Sequence, residues 1–244
     1  MKLIDADTLF LALTFLGRLA LSLNYLDEAL QCGRSILKKE KNFQFGLVMR
    51  HYSGAFLAEL SKFDKNFKNV AVNFLQTLAD NFESNLGRKI PMNSALWSGA
   101  ADAYLKLFEI TGDPSFLEKA EAAADWLLGR QLNSGAFRSA DNSNFVFTRG
   151  TAKVIEILSE ILLLKKIDPS IHLGYYRQCK ECIKKAFDWL ATMQYSSENS
   201  YFIPEKNLDY IVGGFRHDYF NPDLWIDSAG HFLLAASRFL KAEK

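Results

Sequence analysis

Four segments of this chain begin alike, and that likeness constrains the fold more than any other feature. HYSGAFLAEL starts at His51, LWSGAADAYLKLF at Leu96, FTRGTAKVIEIL at Phe147 and WIDSAGHFLLAASRFL at Trp225. Each opens with an aromatic residue, follows with a small polar or charged pair, and then has a Gly or a Ser-Ala. Each is apolar on most helical faces, the pattern of a helix with neighbours on most sides. Between them lie helices of mixed charge that end in related phrases: VAVNFLQTLADNF, EAAADWLLGRQLNSGAF and KKAFDWLATMQYSSENSYF. One helix of each kind makes a hairpin of roughly 45 to 75 residues, and a unit of that size must bury its apolar face on its neighbours. The expected fold is all-α, a stacked or closed array of helical hairpins.

Local punctuation marks the helices. Asp5 or Asp7 can cap the first, which runs to about Asn24. The second is expected over Leu26 to Lys39, the third from Val48 to Leu60. Asp64 opens the fourth, with Phe67, Val70, Ala71, Phe74, Leu75 and Leu78 as its apolar stripe. Gly87 and Pro91 break the chain. Asn93 or Ser94 caps a helix from Ala95 to Thr111. Gly112 is placed as its stop, Asp113 as the next cap and Pro114 as the first residue of a helix ending near Arg130. A seventh helix covers Thr148 to Lys165. Asp168-Pro169 starts a region reaching Gln194, with a break near Gly174. Tyr195 to Leu224 reads as a long loop, and long loops in compact domains are usually functional or disordered. The last helix covers Trp225 to Lys241.

Composition removes several classes. The chain has 244 residues, 49% hydrophobic and 23% charged, with a formal net charge of +1. That is enough for one buried core, and the whole of 1–244 is expected to be a single domain. Interleaved charges give no basic face, so no nucleic-acid partner is expected. Leu9 to Leu23 is nearly continuous apolar sequence, but Asp5 and Asp7 precede it and Arg18 interrupts it. It is short for a membrane span and lacks the flanks of a signal peptide, so a buried helix is expected. Cys179 and Cys182 form a CxxC within a helical pattern, and Cys32 stands apart. Structural thiols in a reducing, cytoplasmic setting are expected. No metal or cofactor is expected: the chain has no Gly-rich phosphate loop, HExxH, GxSxG or Cys/His cluster.

Alternating buried and amphipathic helices of this kind resemble the α/α-toroid. That fold is shared by six-hairpin glycosidases, N-acylglucosamine 2-epimerase-like proteins, polysaccharide lyases and terpenoid cyclases. EITGDPSFLEKAEAAADWLLGRQ is similar to the inner-helix, turn, outer-helix junction of the sugar-acting members. Trp126, Gln131, Gly135 and Phe137 resemble the Gln-x-x-x-Gly-x-aromatic repeat of triterpene cyclases. Trp189 and Gln194 echo its first half, with no Gly-x-aromatic at the same distance. The cyclase DxDD motif is absent. About nine helices are countable where a complete six-hairpin barrel has twelve, so the ring is open, smaller, or part of a longer protein.

The resemblance implies a cavity rimmed by the loops that lead into the inner helices. That places Tyr52, Trp97, Phe147 and Trp225 at one mouth, as flat platforms for sugar or isoprenoid, or as wedges between hairpins. The wedge reading requires all four to be buried. Asp102, Lys153 and His231 each lie three residues past the small residue of their repeat, and Arg149 and Asp227 share another repeat position. Asp227 and His231 are four apart on one helix face, within contact reach, and an Asp beside a His can tune a proton-transfer imidazole. The expected catalytic set is Asp227, His231 and Asp102. Arg149, Arg216, His217, Asp223 and the four aromatics are expected to bind ligand. The arginines favour an anionic saccharide. His51, Arg138 and Asp218 are further residues at the mouth. Two other readings stand beside a glycosidase-, lyase- or epimerase-like protein: a non-catalytic helical-repeat module for protein partners, and an isoprenoid-binding toroid with an apolar cavity. Oligomeric state is not legible.

Overall fold

The computed structural model describes residues 6–40, 46–89, 92–140, 143–167 and 173–244. Among them are ten α-helices: α1 (Ala6–Ser22), α2 (Leu26–Glu40), α3 (Leu47–Leu60), α4 (Lys68–Gly87), α5 (Ser94–Thr111), α6 (Pro114–Leu128), α7 (Thr148–Ile167), α8 (Leu173–Met193), α9 (Leu208–Ile211) and α10 (Ile226–Glu243). The described residues pair as β-structure only in isolated bridges. Nine helices fall where the sequence places them. The tenth, α9, is a single turn inside the expected long loop.

The caps explain the boundaries. Asn93 Oδ1 accepts the Leu96 amide at the start of α5, and Asp113 Oδ1 accepts the Ser115 amide beside Pro114. Each satisfies one of the amides that a helix start leaves without an internal partner. Gly112 ends α5 at φ 73°, a conformation that glycine adopts without steric cost. Asp64 accepts the Asn66 amide and opens a short 3-10 turn that leads into α4. The Asp5 cap and the Asp168-Pro169 start lie outside the described residues.

The chain divides into two compact units, 1–90 with 99–120 and 91–98 with 121–244. In the first, α3 packs against α4 and α2, and Phe56, Leu57 and Leu60 of α3, Phe74 and Leu75 of α4, Ile36 of α2 and Leu105 of α5 are all fully buried. Gly17 and Gly33 let α1 and α2 each approach α3 closely. A Cβ at Gly17 would collide with the Phe56 ring, and one at Gly33 with Leu60 and Phe67. The expectation that α1 is buried all round is corrected: Phe15, Leu16, Leu19 and Leu23 are exposed. The helix buries the face carrying Thr14 and Gly17, with Thr14 hydrogen-bonded to Ser53 of α3 at 3.1 Å. Its apolar run therefore covers more than the face that packs. Among the described residues no helix is long and apolar enough to cross a membrane.

In the second unit α7 is the central helix. Ala152, Val154, Ile155, Ile157, Leu158, Ile161 and Leu162 are all buried, and α8 and α10 pack against it. Two turns in this unit are copies of one another. After α6, the Leu132 amide donates to Ala136 O, the Gly135 amide to Leu132 O and the Arg138 amide to Arg130 O, at 2.8, 2.9 and 3.1 Å. After α8, the Tyr195 amide donates to Gly214 O, the Gly213 amide to Tyr195 O and the Arg216 amide to Met193 O, at 2.8, 2.8 and 3.1 Å. In each turn a glutamine side chain closes the glycine carbonyl, Gln131 to Gly135 and Gln194 to Gly213, at 3.0 and 2.8 Å. Each glycine has positive φ, 99° and 93°. Each turn also buries a Phe (Phe137, Phe215) bridged to its glutamine. The Gln-x-x-x-Gly-x-aromatic phrase is therefore completed a second time, by Gly213 and Phe215. Three residues separate Gln131 from Gly135, and eighteen separate Gln194 from Gly213. The expected long loop is, in its first part, an insertion within a repeated turn.

Candidate functional site

Each copied turn returns along the start of a helix. The Ser94 amide donates to Ser139 O at 2.8 Å, and the Ser94 hydroxyl donates to Arg138 O. The Thr148 amide donates to His217 O at 2.9 Å, and its hydroxyl to Arg216 O at 2.6 Å. The returning strand pins α5 and α7 at matching residues, and this corrects the register read from the small residues. Asp102 corresponds to Glu156, not to Lys153, and Trp97 to Thr151, not to Phe147. The Ser139 amide meets Phe145 O and the His217 amide meets Asp223 O, at 3.0 and 2.9 Å. This second match pairs Trp225 with Phe147, Asp227 with Arg149 and His231 with Lys153, as the sequence indicates.

The starts of α7 and α10 thus carry matched residues, and two of them meet. Arg149 Nε lies 3.1 Å from Asp227 Oδ2, both side chains about two-fifths exposed at 40% and 41%. His217 stacks on Phe147, ring centroids 5.8 Å apart and 6° from parallel, and its centroid lies 4.3 Å from that of Trp225. His217 Nδ1 is 2.7 Å from Asp218 Oδ2. Asp218 is buried, and its other oxygen accepts the Phe220 and Asn221 amides at 2.7 and 2.8 Å. Burial pushes the Asp218 carboxyl up. The Phe220 amide, His217 and the Asn221 amide outweigh that and hold it below the usual carboxylate range. An ionised Asp218 fixes the imidazole with Nδ1–H as donor, leaving Nε2 with no protein partner among the described residues. Asp227 Oδ1, Ser228 Oγ and Arg216 Nε are buried and likewise have none. Those three atoms are covered by protein, so the groups this junction can offer a ligand are the part-exposed Arg149 and Asp227 side chains.

The other expected residues are placed elsewhere. His231 does not pair with Asp227: its Nδ1 lies 2.6 Å from Glu156 Oε2. Arg238 donates to Glu156 and forms an ion pair with Glu160, each at 2.9 Å, and Lys153 reaches Glu156 at 3.4 Å. Burial pushes the Glu156 carboxyl up, but Lys153, His231 and Arg238 bring it well below its ordinary value. This network lies between α7 and α10 and reads as a lock between them. Glu156 is not among the residues expected from the sequence; a register anchored on Ser94 and Thr148 aligns it with Asp102. Asp102 belongs to the first unit, buried against His51 at 2.6 Å, and Tyr52 stacks on that imidazole at 5.2 Å. Trp97 stacks on Trp126 at 4.4 Å and 10°.

Arg216 donates to Thr192 O at 3.2 Å and lies over the Tyr195 ring. With Arg149 paired to Asp227, both guanidinium groups counted toward an anionic ligand are engaged by the protein. Arg138 contributes its carbonyl to Ser94. Asp223 contributes its backbone, with its amide on Asn221 Oδ1 at 2.9 Å and its carbonyl on His217. Tyr52, Trp97 and Phe147 are half-buried and Trp225 is 41% exposed, so neither the burial of all four that wedges require nor the exposure of at least two that platforms require is met. A groove of about 310 Å³ between α8 and α10 is lined by Phe187, Phe215, Phe232, Phe239 and smaller residues. Another of about 380 Å³ lies by Lys62, Lys65, Lys68 and Glu109 in the first unit. Asp227, His231 and Arg216 line neither. Cys32, Cys179 and Cys182 are free thiols.

No protein-family description matches this sequence, and no curated protein is detectably similar to it. Solved structures are similar to it in fold. One is a glycosyl hydrolase family 88 protein from Bacteroides vulgatus, 12% identical with a TM-score of 0.65, matched over 96% of this chain and 74% of that one. Another is a polysaccharide lyase, 14% identical with a TM-score of 0.63, matched over 93% of this chain and 71% of that one. The chain shares the all-α fold of these proteins, repeated helical hairpins of the α/α-toroid kind.

Proposed function

We propose that the protein binds a saccharide at the junction of α7 and α10, and that His217 is the group there able to move a proton. The observation that carries this reading is the exposed Trp225 face beside His217 and the Arg149–Asp227 pair. Trp225 is 41% exposed, its ring centroid lies 4.3 Å from that of His217, and the Arg149 and Asp227 side chains are 40% and 41% exposed. A sugar ring presents C–H-rich faces suited to an aromatic surface and hydroxyls suited to a carboxylate and a guanidinium. The fold, shared with a glycosyl hydrolase and a polysaccharide lyase, supports carbohydrate chemistry by analogy. Asp218 orients His217 as a carboxylate orients an acid/base imidazole. Asp227 with Arg149 serves to position the ligand. We assign Asp102 and His231 to holding helices together, because each is committed to a buried partner.

Titration calorimetry against neutral and acidic oligosaccharides, with a reducing-end assay for turnover, tests this reading. Trp225→Ala is expected to weaken binding about tenfold, the scale of one lost aromatic contact, with the fold intact. His217→Ala is expected to remove turnover while retaining binding. Unchanged affinity in Trp225→Ala would refute the site.

A further inference from the structure

The insertion in the second copied turn adds surface and little core. Between Gln194 and Gly213 only Tyr195 and Ser200 are buried. Tyr201 is 88% exposed, Tyr210 84%, and Phe220, just beyond the turn, 92%. Isolated exposed apolar residues need no explanation, but this many large rings on one loop do. The loop that carries them is held. Tyr195 donates its hydroxyl to Pro222 O at 2.8 Å, and Asn199 bridges Gln194 O and the Ser196 amide. Asp218 fixes the backbone under Phe220. The rings are therefore presented on ordered backbone, and the same loop runs on to Trp225 at the candidate site.

We propose that this loop is a platform for a neutral glycan chain several sugar units long, continuing from the α7–α10 junction. The proposal rests on the saccharide reading of that junction and adds the class of ligand. Length is argued from the aromatic residues beyond Trp225, which a mono- or disaccharide seated there would leave unused. Neutrality is argued from charge. From Tyr195 to Trp225 the acidic residues at the surface are Glu198, Glu205, Asp209 and Asp223, Asp218 being buried against His217, and the basic residues are Lys206 and Arg216. Arg216 is turned onto Thr192 O and the Tyr195 ring. An acidic surface repels uronic or sulfated polymers and anionic lipid.

The test is calorimetry with neutral gluco- and manno-oligosaccharides from di- to hexasaccharide, with oligogalacturonates as the charged counterpart. The wild type is compared with Tyr201→Ala/Phe220→Ala, whose side chains are too exposed for their loss to unfold the chain. Affinity is expected to rise about tenfold or more with length in the wild type. In the variant it is expected to stay nearly flat, with disaccharide affinity unchanged. Disaccharide binding that depends on Trp225 but gains nothing with length would overturn this inference and leave the site reading intact. So would tighter binding of oligogalacturonate, or a length gain that survives in the variant. Absence of binding to every saccharide would overturn both. Binding to phosphatidylcholine vesicles without glycan binding would assign the loop to lipid.

Discussion

Three of the four histidines of this chain sit against a carboxylate at 2.6 or 2.7 Å, yet their surroundings set different tasks. His51 and His231 meet buried acids on neighbouring helices. His217 meets an acid one residue along its own loop and has the Phe147 and Trp225 rings against it. Glu156 is the residue on which the α7–α10 lock depends, since it accepts from His231 and Arg238 together. Removing one member of a buried charged set leaves the others uncompensated, so Glu156→Ala is expected to cost about 3–5 kcal/mol by chemical denaturation. Its folded-state carboxyl lies below the ordinary value of 4.5. The stability it contributes is therefore complete above that value and lost as pH falls through the lower, folded one. Glu156→Gln is expected to flatten the acid limb of the stability curve below about pH 4.5. An unchanged acid limb would show that the lock is not ionic.

At the scale of elements, the copied turn is the most informative unit, and its two glycines make a controlled comparison. Both have positive φ, which costs a side chain about 1–2 kcal/mol. A Cβ at Gly135 would also collide with the Lys185 carbonyl, whereas one at Gly213 would meet nothing within 4 Å. Gly135→Ala is therefore expected to lower the melting temperature well beyond Gly213→Ala, and equal shifts would contradict the geometry. The insertion offers a further test: replacing residues 196–212 by the Asn-Ser of the first turn is expected to leave folding intact and to remove the glycan-length effect.

Helix order, caps and the pairing of Trp225 with Phe147 were legible in the sequence, because periodicity and capping are local. The α5 register was not, because it is set by a strand returning from residues 138–139, more than forty positions away. The Asp227–His231 pairing failed for the same reason. Spacing puts them on one face, but Glu156 and Arg149 come from another helix and take one each. The completed second motif was hidden by an insertion that no fixed spacing can anticipate.

For the molecule as a whole, fold and function rest on different evidence. The fold follows from hairpin repetition and from structural likeness at 12% and 14% identity. The proposed function rests on what is particular to this chain: Arg149 against Asp227, His217 against Phe147 and Trp225, and an acidic loop of exposed rings. Hydrogen–deuterium exchange with and without a saturating neutral hexasaccharide tests that assignment most directly. Added protection is expected at 147–149 and across 213–227, with the first unit unchanged. Protection confined to α3–α5, or none at all with the ligand demonstrably bound, would contradict it.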